Sequence, residues 1–334
     1  MRFIRYKQRR LFVPVPVDKV KVGCYFTAQK FRSDGTITYQ GPRFSNLVLD
    51  VGLDMLVSRP YGLVGGSGTQ NNSCSVCNVG TGTTTPTTDQ TGLHTFTAAT
   101  ASRYGGTTHG YSTENPVRRW SSVTYEFAIG FCADNTNLTE VGLSRTTNDE
   151  YFNRQLFRDE EDNPTTITVH SDEGLRIFCE LFLYGDLQPG ATVAGSCTLN
   201  ETETLNYTRE MTTDTTWLTW TYLDSMGALG ASRESGYLLS DLATGFTGTV
   251  ADSRSLEAYQ SGDYSRTHTA VWNPGKFAGN LNSILFHAFF PPPWGGIGTR
   301  VTEFSAFRLD APIDILDTEE VTVTFRREWA RYTP

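Results

Sequence analysis

Apolar and polar residues alternate over several long segments of the chain. The alternation is regular after Arg119, returns after Gly174 and appears again near the C-terminus. The apolar positions are Val123, Tyr125, Phe127, Ile129 and Phe131, then Leu175, Ile177, Cys179, Leu181 and Leu183, and finally Val321, Val323 and Phe325. A period of two is typical of strands with one buried face, and short polar turns separate these segments. The pattern predicts an all-β fold with antiparallel strands.

One segment, 45–57, has helical spacing instead. Leu49, Leu53 and Leu56 recur at i, i+4 and i+7, and Ser45 or Asn46 is available as an N-cap. The next segment, 59–92, is rich in Gly, Asn and Thr, which predicts loops around one short strand. The sequence therefore predicts one short helix and long Gly/Thr-rich loops in an otherwise β-stranded chain.

A polar segment with few bulky apolar residues, 186–215, indicates a domain boundary near residue 200. We expect two antiparallel β-sandwich-like domains, 31–200 and 201–334, preceded by an extended basic N-terminal arm, 1–30. Val and Pro alternate in this arm, and such spacing favours an extended strand whose N–H groups are not needed in a ladder. Two interpretations stay open, since the arm can dock onto an acidic neighbour or form a strand of the first sandwich.

Composition and charge narrow the classes of function. The chain has 334 residues, with 28 basic against 36 acidic ones and a formal net charge of -8. This balance argues against a general nucleic-acid binder, and we expect no sequence-specific nucleic-acid partner. No run of 18 or more apolar residues occurs, which predicts no membrane span, and the start lacks the pattern of a signal peptide. Only five basic residues are Lys. Arg is enriched at desolvated interfaces, although a GC-rich genome produces the same bias.

Candidate chemistry is sparse along the chain. Six cysteines are widely spread, and Cys74 and Cys77 have the spacing of half a zinc site without the other half. We interpret them as buried thiols and expect neither a metal nor a cofactor. The five histidines stand apart, and the acidic run 159–162 before Asn163-Pro164 is typical of a turn. We therefore expect no catalytic residues and no enzyme.

Two aromatic residues are candidates for contact with a glycan or a partner protein. Trp294 follows three prolines, and such a stiff segment can present an aromatic ring. Tyr104 is the second candidate. A single exposed ring does not separate sugar stacking from protein contact, so both interpretations stay open.

Several motifs, taken in order, resemble a module of structural proteins from tailed-bacteriophage virions. The motifs are NLVLDVGLDML, VGTGTTTPTTDQTGL, WSSVTYEFAIGF, NLTEVGL, NRQLFRD and PTTITVHSDEGLRIFCELFLY, and the resemblance extends over about 45–186. The closing segment ILDTEEVTVTFRREWARY is similar to the end of such chains. The resemblance implies a β-rich subunit of a tail, tail fibre or neck that binds neighbouring virion proteins. It brings no catalytic residues to this chain.

The sequence thus predicts a structural subunit of a phage virion, assembled in the bacterial cytoplasm and located at the tail or neck. Its expected partners are copies of itself and other tail, neck or portal-proximal proteins. The expected interface anchors are Arg2, Arg5, Lys7, Arg9, Arg10, Arg326, Arg327 and Arg331. The alternative is a receptor-binding tail-fibre protein that stacks host glycans on Trp294 or Tyr104. A depolymerase is a third hypothesis, but no pair of acids supports it.

Overall fold

The described part of the chain consists of 22 strands and one short helix, α1 (Asp50–Ser58). The computed structural model describes residues 7–58, 73–112, 118–133, 135–185, 192–213, 236–239, 249–250, 252–287 and 303–333. The strands of the first half are β1 (Lys7–Arg32), β2 (Ile37–Gln40), β3 (Phe44–Ser45), β4 (Leu47–Val48), β5 (Val76–Gly80), β6 (Phe96–Thr100), β7 (Thr108–Ser112), β8 (Arg118–Phe127), β9 (Thr136–Leu138), β10 (Glu140–Thr146), β11 (Asp149–Leu156), β12 (Ile167–Val169) and β13 (Glu173–Gly185). Those of the second half are β14 (Thr192–Leu199), β15 (Glu203–Thr213), β16 (Gly236–Leu239), β17 (Thr249–Val250), β18 (Ser253–Leu256), β19 (Ser265–Trp272), β20 (Gly279–His287), β21 (Glu303–Ile315) and β22 (Glu319–Arg331). The fold is all-β, as the alternating pattern predicts.

Strand β1 lies in the middle of the largest sheet. This sheet has 15 strands, and its main path is β17-β16-β20-β21-β15-β14-β1-β13-β8-β7. A second sheet of five strands has the order β4-β11-β10-β5-β6, and β12 pairs with β9 in a two-stranded sheet. Because β1 is 26 residues long, it can pair with strands from both halves of the chain.

The first and last strands of the described chain lie side by side. β1 and β22 are parallel, from Lys7 opposite Glu319 to Val22 opposite Arg331. The register shifts on both sides of Pro16, which has no N–H to donate to the ladder. Every other pairing among the described strands is antiparallel. The predicted antiparallel layout is therefore corrected at this one pair.

The N-terminal segment is a strand of the sheet rather than a separate arm. From Val20 to Arg32, β1 pairs with β13, and Leu11 and Phe12 pair with β14. Pairing thus continues across the predicted boundary at residue 30. Of the two interpretations that the sequence left open, the structure has the strand. The part before residue 7 lies outside the described residues.

Two hydrophobic cores divide the chain. The first draws its members from Val22 to Leu183 and also includes Trp329, whereas the second draws its members from Cys197 to Phe325. The change of core therefore falls between residues 183 and 197, slightly before the predicted boundary near 200. Residue 200 itself lies in the turn between β14 and β15, which pair along eight positions. β22 contributes to both cores, with Val321, Val323 and Phe325 in the second and Trp329 in the first, so the two cores are not separate chain segments.

Helix α1 covers one side of the first core. The leucines that define its predicted apolar side are all buried: Leu49, Leu53 and Leu56. The helix begins at Asp50, however, and the residues before it form β3 and β4, which pair with β1 and β11. The predicted N-cap at Ser45 or Asn46 is therefore wrong. Strand pairing with distant segments outweighs the local capping preference there.

Strand β8 is shorter than the alternation predicts. Val123, Tyr125 and Phe127 are buried, but the strand ends at Phe127 and Ile129 is 38% exposed. Gly130 has φ 78°, a left-handed conformation that turns the chain away from the sheet. On β13, by contrast, all five predicted positions are buried.

The buried carboxylate of Glu173 stabilises the end of the β1–β13 pairing. Glu173 is 2% exposed and accepts hydrogen bonds from Lys30 Nζ at 2.8 Å and Thr38 Oγ1 at 2.6 Å. The backbone N–H of His170 donates a third, at 3.1 Å. Burial by itself raises the pKa of this carboxyl, but the three hydrogen bonds and the Lys30 charge outweigh it and lower the pKa from 4.5 to about 2. The ionised form of Glu173 therefore stabilises the folded chain.

We expect the contribution of Glu173 to disappear in acid. A carboxyl whose pKa is depressed by folding stabilises above its unfolded pKa and loses that effect as the pH falls through the folded value, here between about 4.5 and about 2. Glu173→Gln should lower the free energy of unfolding by about 3 kcal/mol at neutral pH and by much less at the acid end of this window. Urea unfolding across the pH range measures the difference.

Asp172→Asn is the matched control. Asp172 forms an ion pair with Arg32 in which the side chains are 62% and 52% exposed, so its loss should change stability by less than ~1 kcal/mol at any pH. A Glu173→Gln effect of the same size at both ends of the window would contradict the assigned role.

Candidate functional site

Strands β1, β13 and β8 lie side by side in the largest sheet and have one face in the first core. Their inner positions are buried in the first core, and these are Val22, Cys24, Phe26, Ala28, Val123, Tyr125, Phe127, Leu175, Ile177, Cys179, Leu181 and Leu183. Because side chains alternate along a strand, the intervening residues lie on the other face. There Tyr25 lies opposite Glu180, which in turn lies opposite Ser122. This outer face carries aromatic and arginine side chains in unusual number.

Four aromatic rings pack together at one end of the outer face. The ring centroid of Phe182 lies 4.9 Å from Tyr25, 5.1 Å from Tyr184 and 5.2 Å from Tyr332. Tyr184 and Tyr332 also stack on each other at 4.6 Å. Phe182 crosses directly over Gly23, where a Cβ atom would come within 2.5 Å of the ring, so this position requires glycine. The three tyrosines remain partly exposed around the buried Phe182.

Two arginines share one carboxylate beside these rings. The guanidinium carbon of Arg43 lies 3.7 Å from the ring centroid of Tyr25, and that of Arg118 lies 5.0 Å from Phe182. Glu180 Oε1 is 2.7 Å from Arg43 Nη2 and also contacts Arg118. Because one carboxylate contacts two guanidinium groups, the cluster carries excess positive charge. The arrangement suits an anionic group on a binding partner.

A third arginine extends the face in the other direction. The guanidinium carbon of Arg176 lies 3.6 Å from the ring centroid of Tyr104 and 4.1 Å from that of Phe31. Its Nε donates to Glu126 Oε2 at 2.8 Å. Tyr104, a predicted contact residue, is 50% exposed at this end. Arg176 and Tyr184 are eight positions apart on β13, so the face extends over about 26 Å.

We call this surface the arginine–aromatic face and define it by its side chains: Tyr25, Arg43, Tyr104, Arg118, Arg176, Phe182, Tyr184 and Tyr332. Burial raises the pKa of Tyr25 and Tyr184 above the usual phenol value, so both phenols keep their protons at neutral pH and can donate hydrogen bonds. Planar rings and guanidinium groups are the residue types that dominate the binding energy of protein interfaces. The face therefore carries residue types that are enriched at protein interfaces.

The predicted N-terminal interface anchors that the structure describes lie along a paired strand. Lys7, Arg9 and Arg10 lie in β1, with their backbones opposite residues of β22. Arg2, Arg5 and the predicted contact residue Trp294 lie outside the described residues. None of the described anchors belongs to the arginine–aromatic face.

The predicted C-terminal anchors differ from one another in their contacts. Arg326 is 49% exposed, contacts Glu328 at 3.4 Å and donates to Ser265 Oγ at 2.8 Å. The backbone of Arg327 pairs with that of Arg266. Arg331 has an internal role instead, because its Nε donates to Val48 O at 2.6 Å and its Nη2 contacts Asp50. Arg331 therefore fixes the start of α1 within the chain, a role that the sequence did not predict.

A buried ion pair joins three of the motifs that resemble phage proteins. Glu140 and Arg154 are both 0% exposed, and Glu140 Oε2 is 2.8 Å from Arg154 Nε. Arg154 also donates to the Gln90 side chain and to Thr84 O, while Glu140 accepts from the backbone N–H groups of 82, 94 and 95. Gly82 is required, since a Cβ atom there would lie 2.4 Å from Glu140 Oε1. The Gly/Thr-rich loop is therefore fixed onto β10 and β11.

The cysteines lie in the cores, as the sequence predicts. All six are buried with free thiols, and burial raises the pKa of Cys24, Cys74 and Cys179 well above the ordinary thiol value. Among the described residues, no three side chains of His, Cys, Asp or Glu lie in a group that could hold a metal ion. Within the same residues, no helix is long and apolar enough to span a membrane.

Sequence reasoning missed the arginine–aromatic face and the Glu140–Arg154 pair. A signal for the face exists on β13, where the outward positions between the buried ones are also bulky: Arg176, Phe178, Glu180, Phe182 and Tyr184. A strand with one solvated face normally has small or polar residues there. No comparable signal exists for the ion pair, because Glu140, Arg154 and the loop residues that bind them come from three separate sequence motifs.

Breaking the buried pair should destabilise the first core strongly. Arg154→Met leaves Glu140 buried without its cation, which we expect to cost ~3–5 kcal/mol in denaturant unfolding and to increase amide exchange across 82–95. Arg145→Met is the control, since the Arg145–Glu150 pair has side chains 27% and 31% exposed and should contribute less than ~1 kcal/mol. Equal losses in the two variants would contradict the role assigned to the pair.

Compared with protein-family models, with curated proteins and with solved structures, the chain matches none at a significant level. The resemblance to phage virion proteins therefore stands on the motifs of the sequence alone. Its functional implications are proposals.

Proposed function

We propose that the chain is a structural subunit of a bacteriophage virion, a tail or neck component that assembles through its arginine–aromatic face. The observation that carries the proposal is the band of partly exposed rings and guanidinium groups on a sheet whose opposite side is core. Such residues are enriched at protein interfaces, where they form the contacts that are most costly to remove. The proposed location is the particle, and the proposed partners are virion proteins, including copies of this chain.

The side chains of the face are already held in place by contacts with one another, and this supports a binding role. Arg43 stacks on Tyr25, Arg176 lies between Tyr104 and Phe31, and Tyr332 packs against Tyr184. A partner that binds these side chains does not have to immobilise them first, which lowers the entropic cost of association. The buried inner face of the same strands keeps the backbone in place.

Incorporation into particles tests this proposal. Particles from bacteria that carry the genome encoding the chain should contain it after density-gradient separation, as detected by mass spectrometry. Arg43→Glu should reduce its copy number in particles about tenfold or more, because it places a negative charge beside Glu180 at the face. Arg43 is 48% exposed, so the monomer should keep its melting temperature.

Lys276→Glu is the matched control for the particle experiment. Lys276 is 53% exposed and forms a single ion pair with Asp252, but it lies in the second half of the chain, away from the face. We expect this variant to be incorporated like the unaltered chain. Absence of the chain from purified particles, or equal incorporation of both variants, would contradict the proposal.

A receptor-binding role is the second candidate, and the exposure of Tyr104 is the observation that favours it. Its ring is 50% exposed and is oriented by Arg176, as in a platform on which a sugar ring could stack. The purified chain would then bind host surface glycans on an array, and Tyr104→Ala would abolish the signal. Lack of glycan binding by the unaltered chain would exclude this role for Tyr104.

A further inference from the structure

An exposed acidic turn projects from the first core. It connects β11 to β12, and Glu160, Glu161 and Asp162 are all exposed there. Hydrogen bonds fix its shape, since Asp159 N donates to Asn163 O at 3.0 Å and Asp159 Oδ1 accepts from Asn163 N at 2.8 Å. The turn therefore has a backbone held by internal hydrogen bonds and presents three exposed carboxylates.

The acidic turn and the arginine–aromatic face lie on opposite sides of the first core. Tyr39 pairs with Lys30, whose Nζ donates at 2.8 Å to Thr168 O on the inner side of the sheet. Paired residues lie on the same side, and Tyr39 indeed packs against the first core. Phe157, two residues before the turn, is buried in this core, and its ring centroid lies 6.1 Å from that of Phe44, which pairs with the inner residue Phe26. The turn therefore starts from the inner side of the sheet. The face, by contrast, occupies the outer side of the same sheet.

The charges of the two surfaces are complementary. Two arginines share Glu180 on the face, whereas the turn contributes consecutive acids. The chain as a whole has a formal net charge of -8, so identical copies repel each other unless a local positive surface meets a local negative one. The face is the described surface that can supply such a contact through Arg43 and Arg118.

We propose that the acidic turn 159–162 of one copy binds the arginine–aromatic face of another copy, so that copies associate head to tail. This inference rests on the proposed structural role and names the partner of its binding surface. Because two different surfaces meet, the contact is heterologous, and repetition gives a closed ring or a helical stack. The carboxylates would contact Arg43 and Arg118, with the tyrosines around them contributing planar surface and phenol donors.

Charge reversal of each surface tests the contact by sedimentation velocity at low and high salt. The unaltered chain should form higher oligomers that dissociate at high salt. Arg43→Glu, and separately Glu160→Lys with Glu161→Lys, should each weaken self-association about tenfold or more. A mixture of the two variants should form mixed oligomers, because the two unaltered surfaces are complementary to each other and so are the two reversed ones. All three substitutions in one chain should restore oligomers.

Asp310→Lys with Asp314→Lys is the matched control for the acidic turn. Both aspartates are exposed on β21, in the second half of the chain, and their reversal should leave the oligomers unchanged. A chain that stays monomeric at every concentration, or a Glu160→Lys/Glu161→Lys variant that assembles like the unaltered chain, would overturn the head-to-tail proposal.

The outcomes also separate this inference from the structural role itself. If Arg43→Glu is excluded from particles while the acidic-turn variant assembles and is incorporated normally, the face binds a different virion protein and only the head-to-tail contact is overturned. If the chain oligomerises as expected but is absent from purified particles, the virion role fails and the self-contact stands.

Discussion

The parallel pairing of β1 with β22 is the constraint on which the rest of the structure depends. Val20 has Gly185 of β13 on one side and Trp329 of β22 on the other, so the first strand is enclosed by strands from distant parts of the chain. Closing such long loops carries a large entropic cost that only later contacts offset. Trp329 supplies one of these contacts, since its ring is buried in the first core and its Nε1 donates to Leu53 O at 3.1 Å. Neither core is complete before the last strand is in place.

The position of β1 also explains how aromatic and arginine side chains come together on its outer side. Its inner residues lie in the first core, and Tyr25 on its outer side packs against Phe182 of β13. A partly exposed band of rings is unfavourable for an isolated chain, because the apolar surface remains in contact with water. This unfavourable exposure is the physical reason to connect the face with a partner.

Polar groups serve two different purposes in this chain. Glu140, Arg154 and Glu173 are buried and fully engaged, and they fix a loop or the end of a strand. Glu180 is partly exposed and shared between two arginines, so its surroundings remain able to bind another anion. The first arrangement favours a single fold, since removing either partner leaves a buried charge. The second leaves charge at the surface, where it can steer association.

The sequence predicted local structure well where the information needed lies within a single segment of the chain. The period of two identified the buried residues of β13 and β22, and helical spacing identified the leucines of α1. It also indicated that the cysteines lie in the core. These features depend on which side of a strand or helix is apolar, and that information is contained in neighbouring residues.

What only the tertiary structure decided was which segments meet. Alternation shows that a strand has a buried side, but it does not identify the neighbouring strand. The prolines of the N-terminal segment were therefore compatible both with a separate arm and with the paired strand β1. The helix start and the internal role of Arg331 depend on contacts between segments far apart in sequence. The Glu140–Arg154 pair lies within one hairpin, but its remaining hydrogen bonds come from the distant loop 82–95. The arginine–aromatic face was equally hidden, because its rings and guanidinium groups come from β1, β8, β13 and the C-terminus. The period of the sequence determines on which side of its strand each residue lies. Pairing between distant strands decides which of these sides come together in the folded chain.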